Sequence, residues 1–216
     1  MCGRFVLISD LTRIAGEFNL AVPNIELPAQ GDISPGQDCF CLIRKAAGAG
    51  GALLHWGITP PWAKDKSAVR MLINARAETV AEKPTFQQAW RERRFLIIAN
   101  GFYEWSKEKK PYLFRFRDNR PFGMAGIYGK TPAAGGEKAS FAIITTAANE
   151  IVAPVHDRMP VIIPAAACEE WLGNKPSSSQ QLSRLLKPYP AELLGGCEVQ
   201  LKKVSSRKTE KQLERK

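Results

Sequence analysis

From Phe95 onward the chain reads as one strand after another, and that succession limits the folds open to it more than any other feature. Phe95-Leu96-Ile97-Ile98-Ala99 is an unbroken apolar run of the length expected for a strand buried on both faces. Residues 102–106 and 112–117 read as a hairpin around the charged turn 107–110. In its second arm Tyr112, Phe114 and Phe116 alternate with Leu113, Arg115 and Arg117. Strands are also expected at 122–128, 140–146 and 198–204, and earlier at 38–45 and 52–58 around a turn at 46–51. Helical spacing is confined to short stretches. Leu11, Ile14, Ala15 and Phe18 recur on one face after a cap at Ser9 or Asp10, and Phe86, Ala89 and Trp90 do so within 85–94. Residues 164–172 and 179–186 read as two more short helices, and the Pro/Gly-rich stretch through Pro23, Pro28, Gly31, Pro35 and Gly36 as a loop. Many strands and few helices predict an α+β, β-rich fold: a closed or sandwiched sheet with short peripheral helices.

At 216 residues and 44% hydrophobic content the chain can bury a real core. No linker-like composition divides it, so one domain is expected over 1–204, followed by a basic tail, 205–216. The net charge of +10 points to a polyanionic partner. About half of the excess lies at the end, where Lys202, Lys203, Arg207, Lys208, Lys211, Arg215 and Lys216 face only Glu210 and Glu214. Such an end is a solvated tail that strengthens non-specific nucleic-acid binding. Five cysteines, an odd number in which only Cys39 and Cys41 are close, form neither a disulfide framework nor a zinc ligand set. A reducing cytoplasm fits that usage. No apolar stretch is long enough for a membrane span or a signal h-region, so neither a membrane nor a metal is expected as a partner.

The chemistry begins at the second residue. Removal of Met1 would give Cys2 a free α-amine beside its thiol, and a 1,2-aminothiol captures an aldehyde as an imine and then closes a thiazolidine. It can equally serve as a nucleophile for acyl transfer with its own amine as base; otherwise Cys2 is a small apolar residue opening a strand. Of the two histidines, His156 lies in Pro154-Val155-His156-Asp157-Arg158-Met159-Pro160, where an acid and a base follow it, and either proton transfer or a plain loop hydrogen bond to Asp157 or the backbone fits. His55 reads as a half-buried strand residue. Glu104, among Phe102, Tyr103 and Trp105, would be a general acid if it faced inward and a solvated carboxylate if it faced out. Asn74 could orient a nucleophile or simply shape a turn. Arg4, Arg76 and Arg158 each stand beside one of these residues, as phosphate-gripping groups would. Pro35, Trp56, Trp62 and Trp105 could stack on bases or belong to the core.

Together these segments resemble one family. Met1-Cys2-Gly3-Arg4-Phe5, Ile33-Ser34-Pro35, Trp56-Gly57, Pro61-Trp62, Ile73-Asn74-Ala75-Arg76-Ala77-Glu78-Thr79, Gly101-Phe102-Tyr103-Glu104-Trp105, Ile144-Thr145-Thr146-Ala147-Ala148 and Val155-His156-Asp157-Arg158-Met159-Pro160 follow the order and spacing of the SOS-response-associated peptidase (SRAP) family, whose members shield abasic sites in single-stranded DNA. The resemblance covers residues 2–204 and implies a barrel-like single domain with a basic groove. It implies that Cys2 releases its own methionine and attacks the abasic aldehyde, that Asn74 holds Cys2, that Glu104 is the acid/base of ring opening, and that His156 assists proton transfer and reversal. Arg4 and Arg76 would grip phosphates, with Arg158 beside them on the DNA. Thr145 would line the pocket, and Pro35, Trp62 and Trp105 would pack on bases flanking the lesion. The partner is then single-stranded DNA containing abasic sites, bound by a monomer without metal or cofactor, in the cytoplasm and on the nucleoid when engaged. Two alternatives differ in class: a thiol peptidase acting on proteins in trans, and a non-covalent DNA-binding module. The chain departs from the family at Asp32, where Asn is usual, and in lacking the closing Pro-Glu-Leu-like segment.

Overall fold

Residues 2–27, 31–46, 48–59, 71–133, 136–173 and 178–201 are described in the computed structural model. Strand β1 (Phe5–Leu7) leads into α1 (Leu11–Glu17), capped by Asp10, whose side chain accepts from the Arg13 amide at 2.8 Å. Then come β2 (Gly31–Ile33), the hairpin of β3 (Asp38–Lys45) and β4 (Gly48–Trp56), β5 (Asn74–Arg76) and α2 (Pro84–Glu92). The strand-rich stretch forms β6 (Arg94–Ala99), β7 (Gly101–Trp105), β8 (Pro111–Phe116), β9 (Phe122–Ala133) and β10 (Gly136–Ala147). The remainder supplies β11 (Arg158–Pro160), β12 (Ile162–Ile163), α3 (Cys168–Leu172), α4 (Ser179–Ser183) and β13 (Leu194–Glu198).

Closure comes from one long-range pairing. β4, β3, β6, β9 and β10 are joined antiparallel in that order, and β10 then pairs with β4 in parallel through Ser140↔His55 and Phe141↔Trp56. The sheet therefore meets itself as a barrel. Phe95 of β6 lies edge-on to Phe141 of β10 at 5.2 Å, and Phe141 stacks on Trp56 of β4 at 6.2 Å. Since β6 pairs with neither of those strands, the rings meet across the lumen. The apolar run is continuous because every residue of β6 is buried. Gly126 of β9 sits opposite Phe95, and a Cβ there would lie 2.5 Å from that ring and 2.6 Å from Ile97. Gly126→Ala is expected to lose about 1–3 kcal/mol of stability through overpacking, read as a lower urea midpoint. An unchanged midpoint would mean that the lumen has slack.

The far half of β10 leaves the barrel and builds the site. Ile143–Thr145 pair in parallel with Asn74–Arg76 of β5, and Thr145–Ala147 pair with Arg158–Pro160 of β11. Beside the barrel stands a second sheet in the order β13-β8-β7-β1-β2. Phe102↔Phe114 and Glu104↔Tyr112 pair across β7 and β8, and alternation puts Phe102 and Glu104 on one face with Tyr103 and Trp105 on the other.

The architecture is the β-rich, barrel-like one the sequence predicts, but several boundaries move. β4 starts at Gly48 and stops at Trp56, because Gly57 turns the chain at φ 126°. Glycines that read as a turn lie inside that strand; at Gly51 a Cβ would meet the Phe40 ring at 2.9 Å and Pro23 at 3.0 Å. Among the described residues the last strand is β13, which begins earlier than the expected 198–204, with Gly196 packed flat against Phe114 where a Cβ would come within 2.6 Å. The stretch 164–172 divides into a 3-10 turn at Ala165–Ala167 and α3. Gly31–Ile33, expected in a loop, is an edge strand. The tail 205–216, with residues 202–204 and Trp62, lies outside the described residues.

Candidate active site

Cys2 precedes β1 and is fully buried. Its carbonyl accepts a hydrogen bond of 3.0 Å from Nδ2 of Asn74, the first residue of β5. Asn74 is itself fixed by the pairing of β5 with Ile143 of β10. The Oδ1 of Asn74 is buried and has no hydrogen-bond partner among the described residues. Antiparallel pairing of β1 with β7 sets the start of β1 beside the end of β7, so Glu104 comes up next to Cys2. Glu104 faces inward and is 1% exposed.

His156 follows a tight turn in which its amide and that of Val155 both bond back to the Val152 carbonyl. Its Nε2 lies 3.9 Å from Glu104 Oε2. The Arg158 amide donates to His156 Nδ1 at 2.9 Å, so the neutral ring carries its proton on Nε2, the nitrogen that faces Glu104. Asp157 Oδ1, 3.1 Å from the same Nδ1, offers a partner to the imidazolium. The ring is therefore served in both protonation states.

Burial sets the resting charges. It pushes the Cys2 thiol far above the usual thiol range, with the neighbouring Glu104 charge adding to the effect. It raises the Glu104 carboxyl to about 7 and lowers His156 below its ordinary value. Near neutrality the site holds a protonated thiol, a carboxyl that exchanges its proton readily, and a neutral imidazole. That is an arrangement for moving protons at a masked nucleophile.

The surrounding candidates fall into groups. Thr145 is buried between β5 and β11, its hydroxyl 3.4 Å from the Ala75 carbonyl. Arg76, two residues past Asn74, is exposed, and its backbone is fixed by pairing with Thr145 and by the Thr79 amide, which donates to its carbonyl at 3.1 Å. Arg158 is held differently. Its guanidinium forms a two-pronged pair with Glu78 and also donates to the Thr145 carbonyl, so a phosphate there would have to displace Glu78. Arg4 lies on the sheet face opposite Glu104, 3.9 Å from Asp32, and Tyr103 donates its hydroxyl to Asp32 at 2.7 Å. Half-buried Trp105 packs against Tyr103 at 6.4 Å, at the Cys2 end of the sheet. Pro35 is half-buried in the turn between β2 and β3. Trp56 belongs to the lumen, and His55 pairs with Asp38 at 2.8 Å. Glu78 and Tyr103 were not singled out in the sequence, and of the two only Glu78 carried a signal, a carboxylate inside the Asn74 segment; Asp157 was legible as the acid beside His156.

The family model of the SOS response associated peptidase (SRAP) matches residues 1–207. The chain is 38% identical over 200 residues to Abasic site processing protein YoqW of Bacillus subtilis, covering 89% of each protein. It is 32% identical over 189 residues to Abasic site processing protein YedK of Escherichia coli, covering 83% of each. A solved structure of a Bordetella bronchiseptica protein superposes with a TM-score of 0.79 at 28% identity, over 93% of this chain and 100% of that one. With the family model covering nearly its whole length, the chain belongs to the SRAP family.

Proposed function

We propose that this protein captures abasic sites in single-stranded DNA covalently, through the amine and thiol of Cys2, after releasing Met1 itself. The observation that carries the reading is Cys2, anchored by its carbonyl on Asn74 and set beside a buried carboxyl whose pKa lies near neutrality. The names of its relatives, abasic site processing proteins, support the same substrate.

The chemistry follows from the residues. In the closed sugar the acid form of Glu104 delivers a proton to the ring oxygen while the C1′ hydroxyl gives one up, and the aldehyde opens. The Cys2 amine, with an ordinary pKa of about 7.7–8.0, attacks C1′, and water leaves to give the imine. The Cys2 sulfur then adds to the same carbon as its proton passes to nitrogen. The net loss is one water. The Nε2 proton of His156, aimed at Glu104, is the relay between these steps and their reversal. Anchoring the carbonyl orients amine and sulfur together, since all three share one Cα. Arg4 and Arg76 hold phosphates in this reading, and Trp105 with Pro35 packs on flanking bases. A single chain suffices, and five free cysteines accord with a reducing cytoplasm. A trans-acting thiol peptidase attacks first with a thiolate, which the raised pKa of the Cys2 thiol disfavours, whereas in aldehyde capture the amine attacks first and the thiol follows.

The test is incubation of purified protein with an oligonucleotide carrying one abasic site, followed by denaturing electrophoresis. A shifted band is expected with abasic but not intact DNA. It should vanish when one residue is inserted between Met1 and Cys2, because the amine is then tied up in a peptide bond. An undiminished band from that variant, with the insertion verified by mass, overturns the assignment to the Cys2 amine.

A further inference from the structure

We propose that Asp32 is a built-in competitor for DNA phosphate: its carboxylate occupies an oxyanion seat formed by Arg4 and Tyr103, and a phosphodiester must displace it to bind there. The inference rests on the DNA reading above and goes beyond it, to what limits affinity.

The seat follows from strand register. Val6 lies opposite Asp32 across β1 and β2, so Arg4, two residues earlier on β1, shares the face of Asp32 and is its diagonal neighbour. On the other side of β1 the Tyr103 amide bonds to the Arg4 carbonyl, which sets Tyr103 beside Arg4 on that same face. The two side chains converge on one anion. The Tyr103 hydroxyl donates to Asp32 Oδ1 at 2.7 Å, and Arg4 Nη1 lies 3.9 Å from Oδ2. Tyr103 is 6% exposed, and burial together with the Asp32 charge keeps its hydroxyl protonated, so it is a fixed donor.

A neutral hydroxyl and a guanidinium around two oxygens are also what the non-bridging oxygens of a phosphodiester require. The Arg4 side of the seat is held by its present occupant only loosely. β2 is the edge strand of its sheet, the Asp32 side chain is 42% exposed, and its pairing with Arg4 is long and open to water. In a protein of net charge +10, this carboxylate is set against the arginine two residues past Cys2. Its effect is to weaken binding of undamaged strands, so that retention depends on the covalent step.

The experiment measures equilibrium binding of a fluorescent oligothymidine without any abasic site, across a salt series, for wild type, Asp32→Asn, Arg4→Gln and the double variant. Asn keeps an oxygen for Tyr103 and removes the charge. Asp32→Asn is expected to bind about fivefold more tightly at low salt, with the slope of log affinity against log salt steeper by roughly 0.7, one further phosphate contact. In the Arg4→Gln background the same change should have no effect. An equal gain in both backgrounds would show a general charge effect and overturn the seat, as would an Asp32→Asn affinity and slope equal to wild type. Failure of every folded variant, wild type included, to bind the oligonucleotide at low salt would overturn the DNA reading itself.

Discussion

On the proposed chemistry, Cys2→Ser is expected to turn sealing of abasic sites into cutting. The serine variant, prepared with Met1 removed by an aminopeptidase and verified by mass, keeps the amine, so the imine still forms. Without sulfur to close the ring, the imine either hydrolyses or loses the 3′ phosphate by β-elimination. Gels of end-labelled abasic DNA should therefore show cleaved strand in place of the denaturant-stable adduct, and Cys2→Ala should behave the same way. The pair of variants is needed because Cys2 is fully buried. A serine hydroxyl without a partner there would cost about 1–3 kcal/mol, whereas alanine leaves only a small void. Thermal melts of both establish that the fold persists. An intact, stable adduct formed by Cys2→Ser at the wild-type level would refute the thiazolidine.

Glu104→Gln has two expected consequences of opposite sign. Capture should slow by about 10²-fold at pH 7, because glutamine has no acid proton to deliver. In wild type the rate should rise with pH as the amine is freed and fall as Glu104 ionises through about 7. The variant should lose the falling limb alone. For stability, an acid whose pKa rises from 4.5 to about 7 on folding binds its proton more tightly in the native state. The native protein therefore gives up stability as pH climbs from about 4.5 to about 7, amounting to about 3 kcal/mol above that range. Glu104→Gln removes the burden, so its melting temperature should exceed wild type at pH 8 and match it near pH 4.5. A wild-type advantage at pH 8 would mean that the carboxylate is well paired when ionised. Function would then not be bought at the expense of stability.

The sequence disclosed the strands that carry a long signal and missed the short ones. β6 and β8 were legible because a continuous run or a strict alternation spans their whole length. β1, β2 and β5 hold three residues each, too few for a period to register. Closure was not legible, because the parallel contact of β10 with β4 joins Phe141 to Trp56 across most of the intervening chain. In the site, the residue types of Cys2, Asn74, Glu104 and His156 marked them as candidates, and the structure sets them around one point. The direction of Glu104 could not be read, since alternation allows either face until Phe102 is seen paired with Phe114. Arg158 shows the opposite difficulty. A cation beside His156 was plain, but the Glu78 that holds its guanidinium is 80 positions away. The Arg158 amide, which orients the imidazole, belongs to the backbone and leaves no trace in residue type.

β10 does double duty as a barrel stave and as the support for Asn74, Arg76 and Arg158. Its residues 140–141 meet β4, and the next few meet β5 without a break. Heritable change in this protein is constrained accordingly. A substitution that reshapes the lumen also shifts the amide holding Cys2, so stability and the proposed lesion capture drift as one trait. Thermostable descendants obtained by repacking the barrel would have to be screened for chemistry at every step. Those obtained on the far edge of the other sheet, around β13, would be free to vary.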